Sequence, residues 1–146
     1  MSKAEILQII TGGIGTIGFA MLFNVRGKKL IAATLGGFLS WSAFLILRMF
    51  IGNEPICYFL VSALISLYSE IMARKLKTPT TTFLMTSLIP LIPGGSLYYT
   101  MVYAFGGISE KFISKGIYTL QLAAALALGI IVVTAVAKNL SKPANK

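Results

Sequence analysis

The stretch TPTTTFLMTSLIPLIPGGSLYYTMVYAFGG, residues 78–107, is apolar enough to lie in a membrane, yet it carries Pro90, Pro93, Gly94 and Gly95 near its middle. Proline removes a backbone donor and its ring clashes with the preceding turn, while paired glycines tolerate backbone angles that other residues avoid. The pattern predicts two half-helices, Thr80 to Ile89 and Ser96 to Phe105, each ~15 Å long at ~1.5 Å per residue. The break then falls near the bilayer midplane. Irregular backbone at that depth is tolerated only where protein buries it or a water-filled cavity meets it.

The rest of the chain is equally apolar. Of its 146 residues 56% are hydrophobic, with a mean hydropathy of +0.84, which excludes a soluble domain and predicts an all-α polytopic membrane protein. The net charge of +9 does not point to nucleic acid, because the basic residues fall in short clusters between apolar runs, as topology signals do. Histidine and aspartate are absent, Cys57 is the single cysteine, and the acids are Glu5, Glu54, Glu70 and Glu110. That inventory offers no zinc or iron site, no disulfide and no nucleophilic triad, so neither an enzyme nor a bound cofactor is expected. Cys57, at the start of a membrane helix, reads as a small buried apolar residue.

Outward from the central stretch, the apolar runs predict five spans at about 6–23, 30–50, 55–73, 80–105 and 116–137, the fourth broken at Pro90 to Gly95, with a polar, disordered tail from Lys138 to Lys146. Lys3 ahead of the first run imitates a secretion signal, but no small-x-small site closes it, so the segment is expected to be retained. Gly12, Gly15 and Gly18 thin one side of the first span, for close helix packing or for a wall beside a solute path. Arg48, near the end of the second span, either snorkels to the interface or faces a substrate. Pro55 suits a helix start. In the third span Ser62, Ser66 and Glu70 share one face, and Glu70 is the one acid inside an apolar run. Arg74 lies one turn on, so Glu70 has two readings: an ion pair at the membrane edge, or a proton- or solute-linked group. In the last span Ala125 and Gly129 form a small-xxx-small packing pair.

At the break, Gly94 and Gly95 expose backbone donors, Ser96 is placed to cap the second half-helix, and the helix N-terminus carries partial positive charge. A carboxylate is the natural guest. Tyr98, Tyr99, Thr100 and Tyr103 follow with hydroxyls, and the other reading is an inert proline kink. With the loops near residues 24–29 and 74–79 and the tail on one side, nine Lys and Arg gather there against four opposite. The positive-inside rule then sets the carboxyl terminus in the cytoplasm and the amino terminus outside.

The pieces GFAMLFNVRGKKL (Gly18 to Leu30), SEIMARKLKTPTTTFL (Ser69 to Leu84) and IPLIPGGSLYYTM (Ile89 to Met101) resemble the threonine/serine exporter family. The likeness runs from the first helix to the last and is closest to the smaller membrane subunit, which is a separate chain in some bacteria and the second half of a fused exporter in others. It implies export of small carboxylate-bearing metabolites across the bacterial inner membrane, with threonine and serine as substrates, or succinate as in related two-chain systems. It also implies a larger partner subunit with a cytoplasmic domain; a homo-oligomer is the alternative, since five helices offer little wall for a closed path. Asn24, Glu70, Arg74, Pro79, Pro90, Pro93, Gly94 and Tyr98 stand at the matching motif positions. Residues 90, 93–96 and 98–100 are accordingly expected to bind substrate, and Glu70, Arg74 and Asn24 to couple or gate. A non-transporting scaffold subunit is the competing reading from another class.

Overall fold

The computed structural model describes residues 3–140 and contains helices but no strand among them. The chain runs α1 (Lys3–Leu22), α2 (Lys28–Ile51), α3 (Glu54–Leu76), α4 (Thr80–Leu88), a 3-10 turn (Ile89–Leu91), α5 (Gly94–Phe105) and α6 (Ser109–Leu140). Helices α1, α2, α3 and α6 are each long and apolar enough to cross a membrane, and the α4–α5 pair, bent by 59° at its break, is a fifth candidate crossing when taken as one span. At ~1.5 Å per residue its two halves and the bend between them reach roughly 30 Å end to end, the thickness of the hydrocarbon core. One broken span accounts for that length.

The connections follow local chemistry. Gly52 ends α2 with φ 66°, its N–H bonded to the Arg48 carbonyl, and Asn53 begins α3 by accepting from the Ile56 N–H at 3.3 Å. Pro55 falls in the first turn of α3, where its missing donor costs little. Lys77 closes α3 in the left-handed region. The last helix starts at Ser109, about two turns before the apolar run, with Glu110 in its first turn where an acid favours the helix dipole. It continues to Leu140, so the expected disordered tail is helical at Lys138 and Asn139; residues 141–146 lie outside those described.

The centre of the bundle is α2 and α3. Phe44 and Leu45 of α2 pack with Cys57, Tyr58, Val61 and Ile65 of α3, joined by Leu84, Leu91 and Leu122. Cys57 is buried there, as its surroundings in the sequence suggested. A smaller cluster of Ala20, Ala32, Ala33, Ala73 and Phe83 fills the end where α3 meets α4. Small residues set the spacing between helices. An added Cβ at Gly37 would stand 2.1 Å from Thr16 Oγ1, at Gly13 2.2 Å from the Phe38 ring, and at Gly129 2.5 Å from the Phe59 carbonyl oxygen. The close-packing glycine of α1 is thus Gly13. Gly12 makes ordinary contact with Pro90, while Gly15 and Gly18 look onto open space. The expected three-residue stripe fails because its 300° steps drift around the helix, away from α2.

Candidate functional site

The two prolines make the break by different means. Pro90 enters a 3-10 turn, the tighter winding that needs no i→i−4 bond at that position. Pro93 forces Ile92 out of helical geometry, to φ −59° and ψ 124°, as the residue before proline must go. Pro93 itself has φ −74° and ψ 54°, and the Gly94 N–H bonds the Ile92 carbonyl at 2.6 Å, closing an inverse γ-turn. Then α5 begins, with Pro93 at its N-cap and no side-chain cap. This corrects two expectations. Gly94 and Gly95 are not in the left-handed region, so the turn does not demand glycine at either. Ser96 lies past the capping position, and its hydroxyl has no hydrogen-bond partner.

What the glycines leave is room. A Cβ at Gly94 or Gly95 would meet nothing within 4 Å. Both border a cleft of about 1000 Å³ whose floor is Pro93 to Ser96 and whose walls include Trp41 of α2, Glu54 and Tyr58 of α3, and Tyr118 of α6. The first intrahelical bond of α5 that follows the turn is Leu97 N–H to the Pro93 carbonyl at 3.0 Å. The Gly95 and Ser96 N–H groups therefore have no helical acceptor and carry the positive end of the α5 dipole to the cleft.

Charges of both signs ring the same space. Lys111, Lys115, Glu54 and Glu110 all line it. Lys111 Nζ sits 5.9 Å from the centre of the Tyr103 ring and Lys115 Nζ 4.9 Å from that of Tyr118, both on aromatic faces that attract a cation. Glu54 is held from two sides: Arg48 Nη2 approaches its Oε1 at 2.8 Å, and the Tyr118 hydroxyl donates to its Oε2. That clamp ties the end of α2 and the start of α3 to α6.

Of the expected substrate residues, Pro93, Gly94, Gly95, Ser96 and Tyr99 line the cleft, as does Tyr103. Pro90 packs toward Gly12 of α1 instead, Tyr98 is exposed, and Thr100 is buried against α6, sharing a hydrogen bond of 3.1 Å with Thr119. Glu70 lies elsewhere, ~24 Å along α3 from Glu54 at ~1.5 Å per residue. Its Oε1 accepts from Thr80 Oγ1 at 3.2 Å and its Oε2 faces Arg74 Nη2 at 3.8 Å, which joins the end of α3 to the start of α4. The ion-pair reading of Glu70 is present in the geometry. Pro79 holds the N-cap position of α4 beside this cluster. Asn24 is exposed in the α1–α2 connection with φ 57°, a turn conformation asparagine tolerates. No group of acids and Cys57 that could hold a metal occurs among the described residues.

Sequence reasoning missed Glu54, Trp41, Tyr58, Tyr118 and the two lysines as cleft residues. Glu54 read only as one of the chain's four acids, just ahead of the third span, and nothing local in the sequence announces its contact with Tyr118, 64 positions away. Residues 8–136 match the family described as Threonine/Serine exporter, ThrE. No curated protein and no solved structure matches the chain.

Proposed function

The chain belongs to the threonine/serine exporter family, and from that premise we propose that it is a membrane subunit of a secondary exporter of small amino acids whose substrate site is the cleft at the broken fourth span. The observation that carries this reading is the pairing of the uncapped α5 N-terminus with two lysines and two glutamates around one space. A zwitterion uses both signs. Its carboxylate fits the Gly95 and Ser96 N–H groups with Lys111 or Lys115 beside them, as anions fit helix N-termini. Its ammonium fits Glu54 or Glu110, and the hydroxyl of threonine or serine fits Tyr99 and Tyr103. A dicarboxylate such as succinate would bring its second negative charge to the same two glutamates, which disfavours it.

The two polar contacts on α3 are the natural gates. At one end the Glu54 clamp holds α3 to α6; at the other, Glu70 holds α3 to α4 through Thr80 and Arg74, with the break between them. Alternate opening of these ends would expose the cleft first to one side and then the other, with Glu70 as the coupling group. In the bacterial inner membrane, the positive-inside count sets Glu70 toward the cytoplasm and Glu54 outside. Helix α5 buries only Thr100 fully, so the cleft lacks a wall on that side. A larger partner subunit supplies it in this reading, and a second copy of the chain is the alternative.

The test is efflux of preloaded threonine, serine and succinate from cells lacking their own exporters, with this chain expressed alone and with its larger partner. Threonine and serine efflux requiring both chains is expected. Succinate efflux alone would overturn the substrate assignment, and no efflux in any combination would favour a scaffold.

A further inference from the structure

Helices α3 and α6 run parallel and are in tight contact at Gly129, where a side chain would collide with Ser62 and the Phe59 carbonyl. Just past that approach a groove of about 440 Å³ opens between them. Leu64, Leu67 and Ile71 form one wall and Val132 and Val136 the other, all substantially exposed. Glu70 and Arg74 stand together at its end, and they are the charged groups that line it. Arg74 and Lys75 lie in the last turn of α3 with Lys77 at its cap, Lys138 lies in the last turn of α6 next to Ala137, which borders the groove together with Arg74, and Glu70 is already engaged by Thr80 and Arg74. An aliphatic trough at membrane depth therefore leads to a surplus of positive charge at the membrane edge.

We propose that this groove is a binding site for an anionic phospholipid, with one acyl chain along Leu64, Leu67 and Val136 and the phosphate between Arg74 and Lys138. Charge argues against a partner helix as the occupant: an apolar helix lying in the trough would leave the cations at its end unanswered, whereas a lipid phosphate meets them. Charge selects among lipids. A basic pocket between membrane helices attracts a headgroup of net negative charge, whereas a choline headgroup brings a cation to the same cluster. The site shares Glu70 and Arg74 with the proposed gate, but it stands if the substrate cleft lies elsewhere.

The experiment is lipid retention by the full chain, purified in detergent and titrated with phosphatidylglycerol or phosphatidylcholine of the same acyl composition, read by native mass spectrometry. Phosphatidylglycerol is expected to bind at least about tenfold more tightly, a difference of ~1.4 kcal/mol. The Lys75→Gln/Lys138→Gln pair should erase that preference without changing retention of phosphatidylcholine. Val133→Trp, which fills the groove, should lower retention of phosphatidylglycerol; if that variant does not fold, the lysine pair decides alone. Equal retention of the two lipids by the unaltered chain, or an undiminished preference in the lysine variant, overturns the proposal. Full competition by glycerol phosphate at the lipid's own concentration would also overturn it, by showing that the groove contributes nothing.

Discussion

A methyl group added at Gly37 would lie 2.1 Å from Thr16 Oγ1 and 2.6 Å from Thr16 Cβ, with helix α1 fixed behind them. Gly37→Ala should destabilise the purified protein by about 1–3 kcal/mol, the usual penalty of overpacking. Gly15→Ala adds the same group to open space and replaces a poor helix former, so its thermal midpoint should stay level or rise. Equal losses from the two variants would remove the packing account of α1. The same scale holds Glu54, which accepts from Arg48 and Tyr118 at once. Tyr118→Phe removes a hydrogen bond to a charged group, worth about 1.5–3 kcal/mol. If the clamp is a gate, the variant should label faster than the unaltered chain at a cysteine placed at Ser114, in a Cys57→Ala background with a membrane-impermeant maleimide. An unchanged labelling rate would mean that the contact is only structural. None of these partners was legible in the sequence, where Gly37 is one of many small residues and Glu54 one acid in a short connection between spans.

Among the elements, the α4–α5 pair was the most legible and for a partly mistaken reason. Prolines 90 and 93 announce a break because each removes a donor, and the structure bends there by 59°. The glycines read as conformational hinges, yet both have helical geometry with empty space beside them. Without side chains, they leave the start of α5 bare. Replacing both prolines by alanine restores two N–H groups and should straighten the pair. The distance between spin labels at the exposed Met85 and Val102 should then lengthen by on the order of 5 Å. No lengthening would mean that packing of the 3-10 turn against α1, rather than proline chemistry, sets the bend.

For the whole molecule, composition and the spacing of apolar runs were enough to recover an all-helical membrane protein with four long spans and a broken one. Helix ends were less legible, because polar turns such as Ser109 to Lys115 extend α6 beyond its apolar run. The candidate cleft was half legible: short-range chemistry marked Pro93 to Ser96 as its floor, whereas the opposing wall from Trp41, Glu54 and Tyr118 exists only through tertiary contact. The charge asymmetry yields its own prediction, that cysteines at Lys28 and Lys75 label only from the cytoplasmic side and one at Lys111 only from outside. Labelling of Lys28 and Lys111 positions from the same side would contradict five crossings. A substrate resting at the bare start of α5 makes threonine efflux through Gly94→Leu, co-expressed with the proposed larger partner and matched to the unaltered chain for accumulation, the decisive measurement. Efflux should fall at least about tenfold, because a leucine side chain would occupy the space that the carboxylate needs. Efflux equal to that of the unaltered chain would place the substrate somewhere other than the break.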